Sequence, residues 1–187
     1  MRRRAGPVLA IAGVASFVLA WTTLGAVRKG YDPVEDAISQ LAELGAPHRE
    51  LMTAGIIAFG VGSISFAPSL GRKAGVALAL AGVGSMGVAA YPCTEGCPGP
   101  GELTDTGHFL AAGLHYVAFT ATPLLASRSR PARLAAAVAA VALGMHAIGI
   151  GPNGLLQRVG LTTLDAWLVA AAVKELRAPS GRASVAA

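Results

Sequence analysis

Charged residues are scarce in this chain. They make up 13% of its 187 residues, whereas soluble globular proteins carry about a quarter. Hydrophobic residues reach 53%, and the mean hydropathy is +0.57. So few charges among so many apolar side chains exclude an ordinary soluble domain and indicate a protein embedded in lipid.

Aromatic residues are also few, at 5%. The net charge of +5 would suit a nucleic-acid partner, but the basic residues stand at the ends of apolar runs and form no patch with aromatics. That placement is typical of membrane anchoring. We therefore expect membrane lipid, and no nucleic acid, as a partner.

Long apolar runs fill most of the chain. A helix needs about 20 residues to cross the hydrocarbon core. The first run follows a basic start but has no small-x-small cleavage site, so it is interpreted as a retained helix and not a signal peptide. The predicted fold class is all-α, an integral membrane bundle of six transmembrane helices in one domain, residues 1–177, with a disordered cytoplasmic tail, residues 178–187. The runs are Gly6–Val27, Leu51–Leu70, Ala74–Tyr91, His108–Ala126, Leu134–Ile150 and Leu155–Val173.

Lysine and arginine are unevenly distributed among the segments between these runs. They concentrate before the first run, between the second and third, between the fourth and fifth, and after the sixth. Most acidic residues fall in the other loops. The positive-inside rule then places both termini in the cytoplasm and the acidic loops outside the cell.

Only two cysteines are present, Cys93 and Cys97, in the second outside loop, YPCTEGCPGPGE. An oxidising compartment favours a disulfide between them. The alternative is a pair of metal ligands, although two cysteines alone are a weak metal signal.

The first outside loop, YDPVEDAISQLAELG, is unusually polar for this chain. Asp32 followed by Pro33 is typical of a helix start, and Gly45 of a helix end. Apolar and polar positions separate onto two faces, which predicts a short amphipathic helix on the outer surface. Its acids either face water or form a lid, with Asp36 and Ser39 turned toward the bundle interior.

Polar side chains inside the apolar runs are the candidate functional residues. An ionised Asp at a helix centre costs about 2.5–3.5 kcal/mol, so Asp165, near the middle of the sixth run, should face the interior and find a partner. His115 and His146 either join it in a catalytic or relay role or serve as interhelical hydrogen-bond donors. Candidate ligand-binding residues at the outer end are Asp36, Ser39, His48, His108, Gln157 and Arg158, of which Arg158 is equally an interfacial anchor.

Three segments together resemble a known family: DAISQLAELG, YPCTEGCPGPGELTDTGHFLAAGLHY and NGLLQRVGLTTLDAW. The chain is similar over nearly its whole length to the DUF998 family of bacterial multi-pass membrane proteins. The resemblance implies a six-helix domain in the bacterial plasma membrane and no established activity. It directs attention to Asp36, Ser39, His108, Gln157 and Arg158 without assigning them chemistry.

Several functions remain open at this point. The favoured one is an outward-facing polar pocket for a lipid-like or small polar ligand, with a lipid-acting membrane enzyme as one form of it. Zinc would have to be held by His115, His146 and Asp165, or by His48, because no HxxxH or HExxH pair is present. A haem between His115 and His146 is a weaker idea. The alternatives are a small proton-coupled transporter with Asp165 as relay, which lacks a visible inverted repeat unless it forms a homo-oligomer, and a non-catalytic assembly protein.

Overall fold

The structure is a computed structural model that describes residues 2–178. Within that range the chain forms six α-helices and no strand. The predicted tail therefore lies outside the described residues apart from Ala178, and the division into one domain and a tail stays a prediction. The helices are α1 (Arg2–Val27), α2 (Arg49–Phe66), α3 (Arg72–Ala90), α4 (Leu103–Ala126), α5 (Arg130–Ala147) and α6 (Asn153–Arg177).

Four of these helices, α1 to α4, are long and apolar enough to cross a membrane. α2 reaches that length together with the 3-10 turn that follows it, Ala67–Leu70. α6 carries more charge than the other helices, including Arg158, Asp165 and Lys174, and α5 begins with Arg130 and Arg133. The all-helical fold is thus confirmed, and four of the six helices are candidate membrane spans. That all six helices cross the membrane stays a prediction.

The helices form a closed ring. Each packs against the next along the chain, and α1 packs against α6. Small residues permit close approach, as expected where lipid supplies little drive for helix association. A Cβ atom added at Gly84 of α3 would lie 2.6 Å from the backbone nitrogen of His115 in α4, so this glycine sets the depth at which His115 enters the bundle.

One end of the bundle, here called the capped end, carries the loops 28–48, 91–102 and 148–152. The short helix predicted there is present only in part: the first loop forms turns from Asp32 and then a 3-10 helix, Ile38–Ala42, with Ile38 and Leu41 buried. Its backbone groups are used elsewhere. The Val34 carbonyl accepts from the Leu155 nitrogen at 2.8 Å, and the Ile38 nitrogen donates to the Gln157 side chain. An α-helix would have paired Val34 with Ile38.

The first and second loops are bound to each other. Arg28 pairs with the buried carboxylate of Glu43 at 2.5 Å, and the other oxygen of Glu43 accepts from the Gly96 nitrogen at 2.7 Å. The Leu44 nitrogen donates to the Cys93 carbonyl at 2.8 Å. The first two loops of the capped end therefore form one hydrogen-bonded layer.

Candidate ligand pocket

Two adjoining cavities lie beneath the capped end. The inner chamber, of about 50 Å³, includes Phe17, Phe59, Ser85, His115, Gln157 and Asp165 in its wall. The vestibule, of about 340 Å³, lies nearer the loops and includes Gln40, Cys97, Asp105, His146 and Asn153. Four residues line both cavities and form the boundary between them: Ser39, His108, Ala112 and Tyr116.

Asp165 lies in the wall of the inner chamber without a protein partner. It is 3% exposed, and neither carboxylate oxygen has a hydrogen-bond partner among the described residues. It follows Asn153, the first residue of α6, by twelve positions, which places it roughly 18 Å along the helix. A buried carboxylate in this state requires a proton or a counter-cation.

The cation nearest to Asp165 in sequence, Arg158, serves a different purpose. Its guanidinium donates to the backbone carbonyls of Pro33 at 2.7 Å and Asp36 at 2.9 Å, and to the Tyr31 hydroxyl. The rings of Trp21 and Tyr31 lie 5.4 and 5.5 Å from the guanidinium carbon. Arg158 thus fastens the first loop to α6 and leaves Asp165 without a counter-charge.

The contacts of Arg158 with the first loop, here called the clamp, also explain the position of Asp36. Its carboxylate accepts from the Asp32 nitrogen at 2.8 Å, so the side chain stabilises a turn while its carbonyl binds Arg158. Nearby, burial raises the pKa of the Tyr31 hydroxyl, and the positive charge of Arg158 opposes that rise. Asp36 and Arg158 therefore border the pocket and do not line it.

Three histidines make the same kind of hydrogen bond through Nδ1. Nδ1 faces a backbone carbonyl in each: Ala81 at 2.9 Å for His115, Tyr91 at 2.9 Å for His108 and Asn153 at 3.1 Å for His146. A carbonyl only accepts, so each Nδ1 carries the hydrogen, and in the neutral ring Nε2 bears the lone pair. The histidines consequently offer acceptors on Nε2.

A hydrogen-bonded chain crosses the boundary between the two cavities. The Gln157 side chain accepts from the Ile38 nitrogen at 2.5 Å and donates to the Tyr116 hydroxyl at 2.7 Å. The Tyr116 hydroxyl in turn lies 3.4 Å from Nε2 of His146. Three helices and the first loop are thereby joined at the level where the vestibule meets the inner chamber.

The zinc site considered from sequence finds no support in the geometry. His115, His146 and Asp165 do not come together as one set of ligands within residues 2–178. The group that does is Cys93, Cys97 and His108, whose ligand atoms lie within 4.8 Å of one another. The two sulfurs, however, are bonded to each other in the structure, and a disulfide supplies no thiolate for a metal.

Six of the nine residues predicted as catalytic or ligand-binding line the two cavities: Ser39, His108, His115, His146, Gln157 and Asp165. His48 is exposed at the start of α2, where its φ of 56° forms the turn into the helix, and it lines neither cavity. Sequence reasoning missed Tyr116, Phe59 and Asp105. A hydroxyl one residue beyond His115 was the available signal for Tyr116, whereas nothing distinguished Phe59 from a lipid-facing ring.

Comparison with known proteins identifies the family of the chain. The family model of the protein of unknown function DUF998 matches residues 11–174, which is most of the chain. No curated protein and no solved structure matches. The family resemblance seen in the sequence is confirmed: the chain belongs to the DUF998 family.

Proposed function

We propose that this protein binds a small polar ligand inside the membrane, in the pocket formed by the vestibule and the inner chamber. All six helices then span the plasma membrane of a bacterial cell, both termini lie in the cytoplasm, and the capped end faces outward. The basic residues at the end opposite the cap support that orientation. A lipid headgroup and a free solute are both ligands of this kind.

The observation that carries the proposal is the unpartnered carboxylate of Asp165 in the chamber wall. An intramembrane carboxylate is costly and marks a functional site by default. A purely structural residue would have been paired, and the nearest arginine in sequence is instead held by carbonyls of the first loop.

The cavity sizes indicate how a ligand fits. A water molecule needs roughly 10–15 Å³ of such a cavity, so the inner chamber of about 50 Å³ takes a few waters or one small chemical group. The vestibule, at about 340 Å³, falls within the usual range of ligand pockets, roughly 300–1,000 Å³. The body of the ligand therefore lies in the vestibule, and one group extends toward Asp165.

The test is native mass spectrometry of protein purified in mild detergent, comparing the wild type with Ala112→Phe. Ala112 lies on the boundary of the two cavities, so a phenyl ring there fills the passage. The matched control is Val117→Phe on the exposed face of the same helix. We expect a bound small molecule in the wild type and the control and its loss in Ala112→Phe. Equal occupancy in all three proteins would contradict the proposal.

Proton-coupled transport is a second candidate, and the chain Gln157–Tyr116–His146 favours it. Hydroxyl and imidazole groups that are linked by hydrogen bonds pass protons from one to the next. In vesicles that enclose a pH-sensitive dye, reconstituted protein should then accelerate proton entry, and Tyr116→Phe should remove the effect. An unchanged rate with the wild-type protein would set transport aside. Homo-oligomer formation would give such a small carrier a second half.

A further inference from the structure

We propose that the ligand of this pocket carries a positively charged ammonium group, which lies against the Asp165 carboxylate between aromatic rings. The inference rests on the proposed function and names the chemical class of its ligand. Three independent observations support it: the charge of the cavity walls, the balance of free acceptors over free donors, and the rings around the carboxylate.

The charge of the walls favours a cation. Asp165 lines the chamber and Asp105 the vestibule, while neither wall includes a lysine or arginine from the described part of the chain. The nearby arginines are already engaged, Arg28 by Glu43 and Arg158 by the first loop. A cavity of one charge sign with low-dielectric walls concentrates ions of the opposite sign.

The hydrogen-bonding groups of the chamber wall also favour a cation. Two donors in the chamber wall are committed: Ser85 donates to the Ile56 carbonyl at 2.9 Å, and the Gln157 amide to Tyr116. The Ser39 hydroxyl, on the boundary, can either donate or accept. Acceptors remain, namely the Asp165 oxygens and Nε2 of His115. An anion needs donors and would find one hydroxyl, whereas an ammonium group needs acceptors and finds the carboxylate and an imidazole nitrogen.

Aromatic rings line the same chamber as the carboxylate. Phe17 and Phe59 lie 5.8 Å apart between centroids, Phe59 and His115 lie 5.4 Å apart, and all three line the chamber with Tyr116. Aromatic faces attract cations within about 6 Å of the ring centre. Aromatic faces together with one carboxylate recognise an organic ammonium group, because its charge is paired and its carbon atoms contact the rings.

The experiment measures the charge preference of the cavity with thiol reagents of defined charge. Ala112→Cys places a thiol on the boundary of the cavities. Methanethiosulfonates bearing a methyl, a trimethylammonium-ethyl or a sulfonatoethyl group react with it: the thiolate attacks the reagent's sulfenyl sulfur, a mixed disulfide forms and methanesulfinate leaves. Rates are corrected for each reagent's reactivity with a free thiol, and protein without the added cysteine gives the background.

We expect the trimethylammonium reagent to react at least about tenfold faster than the sulfonate, since an attraction of about 1.4 kcal/mol to one unpaired charge in the same cavity corresponds to that ratio. Asp165→Asn in the same protein should bring the ratio close to one. Glu175→Gln, an exposed carboxylate on the same helix, should leave it unchanged. Ser39→Cys, also on the boundary, repeats the measurement in case the first variant does not fold.

The outcomes separate the two proposals. Fast reaction with the methyl reagent but equal rates for the two charged reagents overturns the ammonium proposal and leaves the pocket in place. The ammonium proposal is also overturned if the preference for the cation persists in Asp165→Asn. No reaction with any reagent at Ala112 or Ser39, while a cysteine at the exposed Pro47 reacts, overturns both proposals, because the pocket would then be closed to solutes.

Discussion

The backbone nitrogen of Ile38 donates to the side-chain oxygen of Gln157 at 2.5 Å, across 119 positions of sequence. This bond joins the roof of the pocket, in the first loop, to its wall, in α6. The same amide also donates to Tyr116, so one side chain fixes both the position of the loop and the orientation of the tyrosine.

Replacing Gln157 should therefore destabilise the capped end. In Gln157→Ala the Ile38 nitrogen is left buried and unpaired, which costs about 1–3 kcal/mol. Thermal unfolding in detergent measures the loss. Gln40→Ala is the control, because its amide makes one long bond of 3.5 Å at the surface. Equal melting temperatures for the Gln157 variant and the wild type would show that the bond contributes nothing.

Arg158→Lys should loosen the first loop despite keeping the charge. An ammonium group lacks the planar face that the guanidinium presents to Trp21 and Tyr31. It also cannot bind the several carbonyl and hydroxyl acceptors of the first loop at once. We expect faster tryptic cleavage after Arg28 and Lys29 in the folded protein. Arg49→Lys serves as the matched variant outside the clamp. Unchanged cleavage in Arg158→Lys would mean that charge alone holds the loop.

Asp165→Asn should leave the stability of the ligand-free protein unchanged or raise it by about 1 kcal/mol, because an uncompensated buried carboxylate opposes folding. The same change should abolish ligand occupancy. Thermal unfolding and native mass spectrometry on one preparation give both values. A loss of several kcal/mol would show instead that the carboxylate has a stabilising partner within the bundle.

The disulfide between Cys93 and Cys97 stays a prediction that alkylation checks directly. We expect no alkylation of the denatured protein without a reductant and two alkylated thiols after a dithiol is added. The closed loop is short, so the bond should stabilise the protein by about 2 kcal/mol. Two reactive thiols in untreated protein would instead favour a metal at Cys93, Cys97 and His108.

The orientation in the membrane is tested with single cysteines in intact cells. A cysteine at Pro47, at the capped end, should react with a membrane-impermeant reagent. One at Ser127, in the loop between α4 and α5, should react only after the membrane is permeabilised. The reverse pattern would place the capped end in the cytoplasm and the pocket on the inner face.

The sequence was sufficient for the helices, because long apolar runs with flanking charges have few other structures open to them. The sequence was also sufficient to single out Asp165, because a carboxylate within an apolar run is unfavourable whatever residues surround it. It was only partly sufficient for the first loop, where the local pattern from Asp32 onward favoured a helix. Contacts with Leu155, Gln157 and Arg158 took the backbone groups that such a helix needs.

In the candidate site, too, single residues could be predicted from the sequence and their partners could not. His115 and Asp165 were predicted as polar residues in apolar runs. The binding of Arg158 to the first loop was not predicted, since periodicity gives the face of a helix and not the partner of a guanidinium. The acids of the first loop were expected to face water or to form a lid, yet Glu43 is 3% exposed and paired with Arg28. Pairings between distant segments depend on packing that no single segment encodes.

The bonds from Gln157 and Arg158 to the first loop also determine when the pocket is completed. The loop is made early in synthesis, but the side chains that position it arrive with the last helix, more than a hundred residues later. Contacts between such distant positions form late in folding. A nascent chain that stops before α6 therefore has neither an anchored roof nor its buried carboxylate. If the proposed function holds, ligand binding reports that the last helix is in place.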